Sequence, residues 1–200
     1  MMKKLLYLCL CFSVFGRLAA QTDTAVINDI SRFQKDLINE YTDPQQSPLS
    51  AEAKKKFKGI HFFPVSQSYI VTATFTRTPD AKAFNMPTSG KETSQYVKYG
   101  EASFMLFEKS YKLNVYQSIE LVKQKGYENY LFIPFRDSTS GFETYGGGRY
   151  IDLTIPEGNT ILINFNKAYH PYCAYTEGYN CPVPPRVNTL PLKINAGVKY

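Results

Sequence analysis

From residue 60 onward, apolar and polar positions alternate with a period of two. Tyr69, Val71, Ala73 and Phe75 interleave with Ile70, Thr72, Thr74 and Thr76, and Ala102, Phe104 and Leu106 with Ser103, Met105 and Phe107. Tyr111, Leu113 and Val115, then Ile151, Leu153 and Ile155, then Ile161, Ile163 and Phe165 repeat the pattern, and Leu190, Leu192 and Ile194 close it. Half-buried strands read this way, and β-branched and aromatic residues favour them. Tyr130 to Phe135 is a further strand, where Pro134 predicts an edge or a bulge because proline has no N–H for a ladder. Glu108-Lys109-Ser110 marks a hairpin turn between two of these strands. Strands following one another without intervening helices predict a mainly β fold, an antiparallel β-sandwich or partly open barrel. A parallel Rossmann-like sheet is not expected.

The first part of the chain has the other period. Val26, Ile30, Phe33, Leu37 and Tyr41 recur at helical spacing and line one face. Thr22, Asp23 and Thr24 supply cap residues, and Asp43-Pro44 stops the helix. A second helix is expected from Ser50, its cap, to Lys58, ended by Gly59. Its Lys54, Lys55, Lys56 and Lys58 read as a solvated face. Residues 21–59 therefore form a helical segment that packs with a β-rich part, 60–200, as one globular unit, with no Gly/Ser linker between them.

Ahead of both lies a leader. Lys3-Lys4, an uncharged run from Leu5 to Gly16, and Leu18-Ala19-Ala20 before Gln21 make a signal peptide over residues 1–20, cleaved near Ala20-Gln21. The run is too short to span a bilayer. Gln21 stands where a lipoprotein would carry its modified cysteine, so no lipid anchor is expected, and the location is periplasmic or secreted. Removing Lys3, Lys4 and Arg17 lowers 23 basic residues to 20 against 17 acidic ones, so the net charge falls from +6 to +3. So small an excess does not point to nucleic acid. Cys9 and Cys11 leave with the leader, and Cys173 and Cys181 are expected to form a disulfide in an oxidising compartment.

Two stretches concentrate chemistry. The first runs from Phe135 to Tyr150 and holds Arg136, Asp137, Thr139, Glu143, Tyr145 and Arg149 around Gly146-Gly147-Gly148. Glycine-rich backbone can hold an anion through free N–H groups, and the arginines could add bidentate charge. The same residues also suit an ordinary turn and a bulged hairpin. No Walker, Gly-x-Ser-x-Gly or His-Glu-x-x-His pattern occurs. The second stretch, Asn164 to Tyr175 followed by Cys181-Pro182-Val183-Pro184-Pro185, is stiffened by proline. His170, Cys173 and Cys181 have zinc-like spacing, but the disulfide accounts for both sulfurs, and neither a metal nor a cofactor is expected. Tyr96, Tyr99, Tyr145, Tyr150, Tyr169, Tyr172 and Tyr175 cluster around these loops; tyrosine grips sugars or peptides, and equally packs the core and edges of a β-protein.

Taken together, these stretches resemble the bacterial family known as domain of unknown function 1684. The resemblance runs from about residue 47 to 199. It rests on Ser47-Pro48-Leu49, Phe62-Phe63-Pro64, Tyr99-Gly100-Glu101-Ala102-Ser103-Phe104, Leu131 to Gly141, Thr144 to Tyr150, Phe165 to Tyr169, Pro171 to Tyr175, Cys181 to Pro185, and Asn188. It implies an envelope protein and carries no activity. Relatives commonly have Asp-Phe-Asn and Ala-Tyr-Asn-Pro where this chain has Asn164 and His170, so the resemblance supports no mechanism that needs an acid at 164 or a histidine at 170.

The residues point first to a non-enzymatic binding domain for a small polar or anionic ligand or a surface polymer. Its expected contacts are Arg136, Asp137, Thr139, Tyr145, Gly147, Gly148, Arg149 and Tyr169. The alternatives are a hydrolase or lyase acting on an envelope glycan or ester through Asp137 with Glu143 or Tyr145, and an assembly factor that binds another protein.

Overall fold

A computed structural model of the chain describes the backbone of residues 5–200 and the side chains of residues 24–200. The expected signal peptide, from Lys3-Lys4 to the cleavage point at Ala20-Gln21, lies outside the residues described to the side-chain level. Among the described residues no helix is long and apolar enough to cross a membrane.

Helix α1 (Leu5–Thr42) carries the predicted face. Ile30, Leu37 and Tyr41 are buried, and the helix stops where Asp43 accepts the N–H groups of Gln45 and Gln46. It does not begin at a cap near residues 22–24, because its backbone is already helical from Leu5. Helix α2 (Ala51–Lys56) is capped as expected by the Ser50 hydroxyl, which accepts the Ala53 N–H at 3.1 Å. It is shorter than expected, since Phe57 is already extended and Gly59 turns with φ +96° beyond it.

The remaining strands are β1 (His61–Phe62), β2 (Ile70–Arg77), β3 (Phe84–Pro87), β4 (Thr93–Leu106), β5 (Lys109–Ser118), β6 (Tyr130–Phe135), β7 (Arg149–Thr154), β8 (Thr160–Asn164) and β9 (Val198–Lys199). Their main sheet runs in the order β7-β6-β5-β4-β2-β8, with β3 added on β4. All its strand pairings are antiparallel, and the sheet curls into a half-barrel. Of the two architectures expected, the partly open barrel is the one formed. The alternating residues meet inside the curl: Val71, Ala73 and Phe75 of β2 face Phe104 and Leu106 of β4, Leu113 and Val115 of β5, and Ile161 and Ile163 of β8.

Local chemistry explains the departures from the expected strands. The β4–β5 hairpin turns at Phe107-Glu108, both at positive φ, one residue earlier than the expected turn, because Leu106 pairs with Lys109. Strand β4 carries a bulge between Lys98 and Gly100. A Cβ at Gly100 would sit 2.6 Å from the Phe75 ring, so only glycine lets these strands close over that side chain. Of the edge or bulge expected at Pro134, the edge is not formed: strand β6 is interior, and its ladder to β5 is confined to Tyr116 opposite Phe132. Where Pro134 would break it, the Asn188 side chain takes over. It accepts the Asn114 N–H at 2.8 Å and donates to the carbonyls of Asn114 and Pro134 at 2.9 Å each.

Leu190, Leu192 and Ile194 do not form a strand. They run beside residues 136–138, where Leu190 N–H donates to the Arg136 carbonyl and Ser138 N–H to the Leu192 carbonyl. Leu190 and Ile194 plug the core, and the chain then returns to pair β9 with β1. Helix α1 packs on this end through a second cluster of Leu37, Tyr41, Leu49, Ile60 and Val198.

Candidate functional site

The glycine–arginine stretch leads into β7, and the structure turns most of its polar groups inward. Arg149 and Asp137 form an ion pair at 3.1 Å with both side chains fully buried. Asp137 also accepts the Thr139 N–H at 3.2 Å, the Thr139 hydroxyl at 2.9 Å and the Ile194 N–H at 2.8 Å. Arg149 donates to the carbonyls of Ile194 at 2.8 Å, Ala196, and Val198 at 3.4 Å. Its ring neighbour Phe135 stands 5.3 Å away. Burial pulls the guanidinium pKa down while Asp137 pulls it back up, as a desolvated, paired cation requires. The pair is therefore a clamp on the backbone of residues 194–198.

The glycines fit around it. Gly148, at φ +94°, would place a Cβ 2.6 Å from the Phe135 carbonyl and 2.8 Å from Pro184, and Gly147 would place one 2.2 Å from the Tyr145 ring. Of the expected ligand contacts, Arg136 and Tyr145 keep partial exposure, while Asp137, Thr139 and Arg149 are interior. Glu143 bonds Lys193 instead of sharing a cleft with Asp137.

His170 is interior as well. Its Nε2 accepts the Tyr145 N–H at 3.1 Å, which leaves the proton on Nδ1 facing the Tyr175 hydroxyl at 3.0 Å. Burial, with Arg149 nearby, pushes its pKa down to about 3, so it is neutral at ordinary pH. Cys173 and Cys181 are bonded to each other. The zinc-like triplet thus resolves into a disulfide and a packed neutral imidazole.

Beside this loop the fold opens to solvent in several places, and Tyr145 with Cys173 lines one cavity of about 490 Å³. Between α1 and the 169–172 turn is a cavity of about 260 Å³, walled by Phe33 and Tyr41 on the helix and by Tyr169 and Tyr172 on the turn. A second cavity of about 230 Å³ continues past Tyr169 and Tyr172 to Tyr150, Tyr179 and Asn180. Together they make a tyrosine-lined cleft, and three carboxylates, Asp36, Glu40 and Asp152, line its first half. Asp152 Oδ1 accepts the hydroxyls of Tyr130 at 2.7 Å and Tyr169 at 2.8 Å, and Glu40 accepts that of Tyr172.

Among the described residues none of the three carboxylates forms an ion pair. Desolvation raises the Asp152 pKa, Glu40 raises it further, and the two tyrosine hydroxyls oppose the shift. Burial beside Asp152 keeps the Tyr169 hydroxyl protonated, well above its ordinary value. The cleft therefore offers flat aromatic faces and carboxylate acceptors with no cation among its described lining residues; the nearby Lys167 ammonium, 5.9 Å from the Phe33 ring, is paired with Asp29.

Of the residues expected to bind ligand, Tyr169 is the one in this cleft; Asp36, Glu40 and Asp152 were missed. A signal was present. Asp36 and Glu40 stand four apart on one helix, a like-charge spacing that costs stability unless something else benefits. Asp152 is the one acid of its strand, Arg149–Thr154, and interrupts the apolar run Ile151 to Leu153.

Residues 55–199 match the sequence profile of the family described as Protein of unknown function (DUF1684). No curated protein matches the chain. The solution NMR structure of the uncharacterized protein from a gene locus of Haloarcula marismortui is similar to this chain, with a TM-score of 0.71 and 29% identity, covering 90% of this chain and 97% of that one.

Proposed function

Because the chain belongs to the DUF1684 family of proteins of unknown function, we propose its role from its own surface: it is an exported envelope protein that binds an amine-bearing saccharide unit of a surface polymer in the tyrosine-lined cleft. The observation that carries the reading is the wall formed by Tyr169 and Tyr172, shared by both halves of the cleft and held in place by Asp152 and Glu40. Fixing a tyrosine through its hydroxyl leaves its ring face free and rigid, which suits the C–H face of a sugar. The carboxylate oxygens not taken by tyrosine accept ligand hydroxyls or an ammonium. Three carboxylates without a counter-ion favour the ammonium, because a charge-assisted hydrogen bond is about twice as strong as a neutral one.

The cleft opens between α1 and the disulfide-braced loop, so a chain of linked sugars could pass along it without threading. An anionic ligand fits this cleft poorly for the same reason that an amine fits well. The hydrolase reading on Asp137 lacks access, since that side chain has no exposed surface.

The test is a titration with glucosamine, its oligomers and glucose, followed by intrinsic tyrosine fluorescence, which is readable because the chain has no tryptophan. Glucosamine is expected to bind more tightly than glucose. Tyr172→Ala and Asp152→Asn are each expected to weaken it about tenfold, a loss of about 1.4 kcal/mol. Equal affinity for glucose, no effect of either variant, or no saturation by about 10 mM, which is binding weaker than about 3 kcal/mol, overturns the reading.

A further inference from the structure

A further cavity, of about 420 Å³, shares no lining residue with the cleft. Small-molecule sites fall in the range of about 300–1,000 Å³. Three distant parts of the chain build this one: residues 53–61, the loop residues Ala174 and Tyr175, and the terminal pair Lys199-Tyr200. Its charged and basic lining is Lys56, Lys58, His61 and Lys199, and no acidic side chain lines it. Lys56 is engaged by Glu52 at 3.1 Å on its solvent side. Lys58 and Lys199 form no ion pair among the described residues. His61 and Lys199 are direct partners in the β1–β9 pair, and both line the cavity.

The rest of the wall is aromatic and stiff. Phe57 stacks on Tyr41 at 5.7 Å with an interplanar angle of 16°, and Tyr175 meets Phe57 edge-on at 5.8 Å. The Arg149–Asp137 clamp holds residues 194–198 and so fixes the strand that presents Lys199. The arginine expected to grip an anion directly is instead a positioning residue for the strand that carries Lys199, whose ammonium lies 5.5 Å from the Phe63 ring at the edge of the cavity.

We propose that this cavity binds a small organic anion with a flat apolar body, an aryl phosphate or aryl carboxylate, whose charge sits between Lys58 and Lys199 and whose ring lies against Phe57 and Tyr175.

The probe is phenyl phosphate, titrated into isotope-labelled mature protein and followed by amide chemical shifts. Saturable shifts confined to residues 56–61, 174–175 and 199–200 are expected, with binding weakened at least about tenfold in Lys58→Ala/Lys199→Ala and unchanged in the control Lys82→Ala/Lys125→Ala. Tyr175→Leu, which removes the ring and leaves the charge, is expected to weaken phenyl phosphate more than inorganic phosphate. The proposal falls if shifts scatter over the surface lysines, if the control pair weakens binding as much, if benzyl alcohol binds as well, or if inorganic phosphate binds as tightly as phenyl phosphate. None of these outcomes bears on glucosamine binding in the cleft, whose variants lie elsewhere.

Discussion

Replacing Arg149 with methionine tests whether the buried clamp holds the C-terminal segment. The substitution keeps much of the side-chain volume and removes every donor. Asp137 is left buried with a charge matched only by Thr139 and the Ile194 N–H, and the carbonyls of Ile194 and Ala196 lose their strongest partner. Breaking a buried pair from one side costs about 3–5 kcal/mol, because the surviving charge stays desolvated. A domain of this size has about 5–15 kcal/mol in all, so Arg149→Met should fold but unfold at a much lower urea concentration. Arg149→Lys should recover only part of the loss, since one ammonium cannot reach several carbonyls and a carboxylate at once.

The double variant Asp137→Leu/Arg149→Met removes both charges and is expected to lose less than the sum of the singles by at least about 1.5 kcal/mol. Urea unfolding at neutral pH measures all of these. Hydrogen exchange locates the damage: the amides of Ile194, Val198 and Tyr200, and of Phe63, which donates to the Gly197 carbonyl, should exchange faster in Arg149→Met than those of β4 and β5. A loss below about 1 kcal/mol in Arg149→Met, or strict additivity in the double variant, would refute the clamp.

Acid should destabilise the protein through His170. Its folded-state pKa of about 3 lies below the unfolded value of about 6.5, so the unfolded chain binds the proton first. The contribution is present above about pH 6.5 and is lost as pH falls towards 3, by ~3 kcal/mol at about pH 4; His170→Gln should flatten that part of a stability–pH curve, and an unchanged slope would contradict it. Gly148→Ala, at φ +94° and 2.6 Å from the Phe135 carbonyl, should cost about 2 kcal/mol in urea midpoint, while Gly158→Ala, which meets nothing within 4 Å, should cost far less. Reducing the Cys173–Cys181 bond, or replacing both cysteines with serine, should lower stability by about 2–3 kcal/mol and blunt saccharide binding, because Cys181 lines the cleft. Intact mass of protein recovered from the periplasm or medium should correspond to a chain beginning at Gln21; a mass that retains Met1 would contradict the assigned leader.

The strands were legible because burial on one face of a sheet imposes a period of two, and five of the six alternating runs in the sequence form strands whose residues line the inside of the half-barrel. The run that failed, Leu190 to Ile194, shows the limit. Alternation reports which side chains are buried, and a segment whose backbone is satisfied by Arg136, Ser138, Asp137 and Arg149 buries its side chains just as a strand does. At Pro134 the edge half of the reading failed for a related reason. Sequence shows the missing N–H, whereas only the fold shows that an asparagine 54 residues away fills the gap.

The candidate site was legible as a neighbourhood and not as a set of roles. Residues 135–150 and 164–185 do meet, and Tyr169 does line an open cleft. Their chemistry alone cannot tell an arginine that binds an external anion from one that binds its own backbone, because both uses need the same donors. Exposure separates them, and exposure belongs to the whole fold. By itself the sequence determined local period, helix stops, the glycines at strained turns and the cysteine pair, all of which follow from covalent geometry and nearest neighbours. Tertiary structure decided which charges lost their water. It placed Arg149 and Asp137 in the core and set Asp152 and Glu40 along the tyrosine cleft and Lys58 and Lys199 along the basic cavity, because desolvation depends on groups that are remote in the chain and adjacent only once the half-barrel has closed.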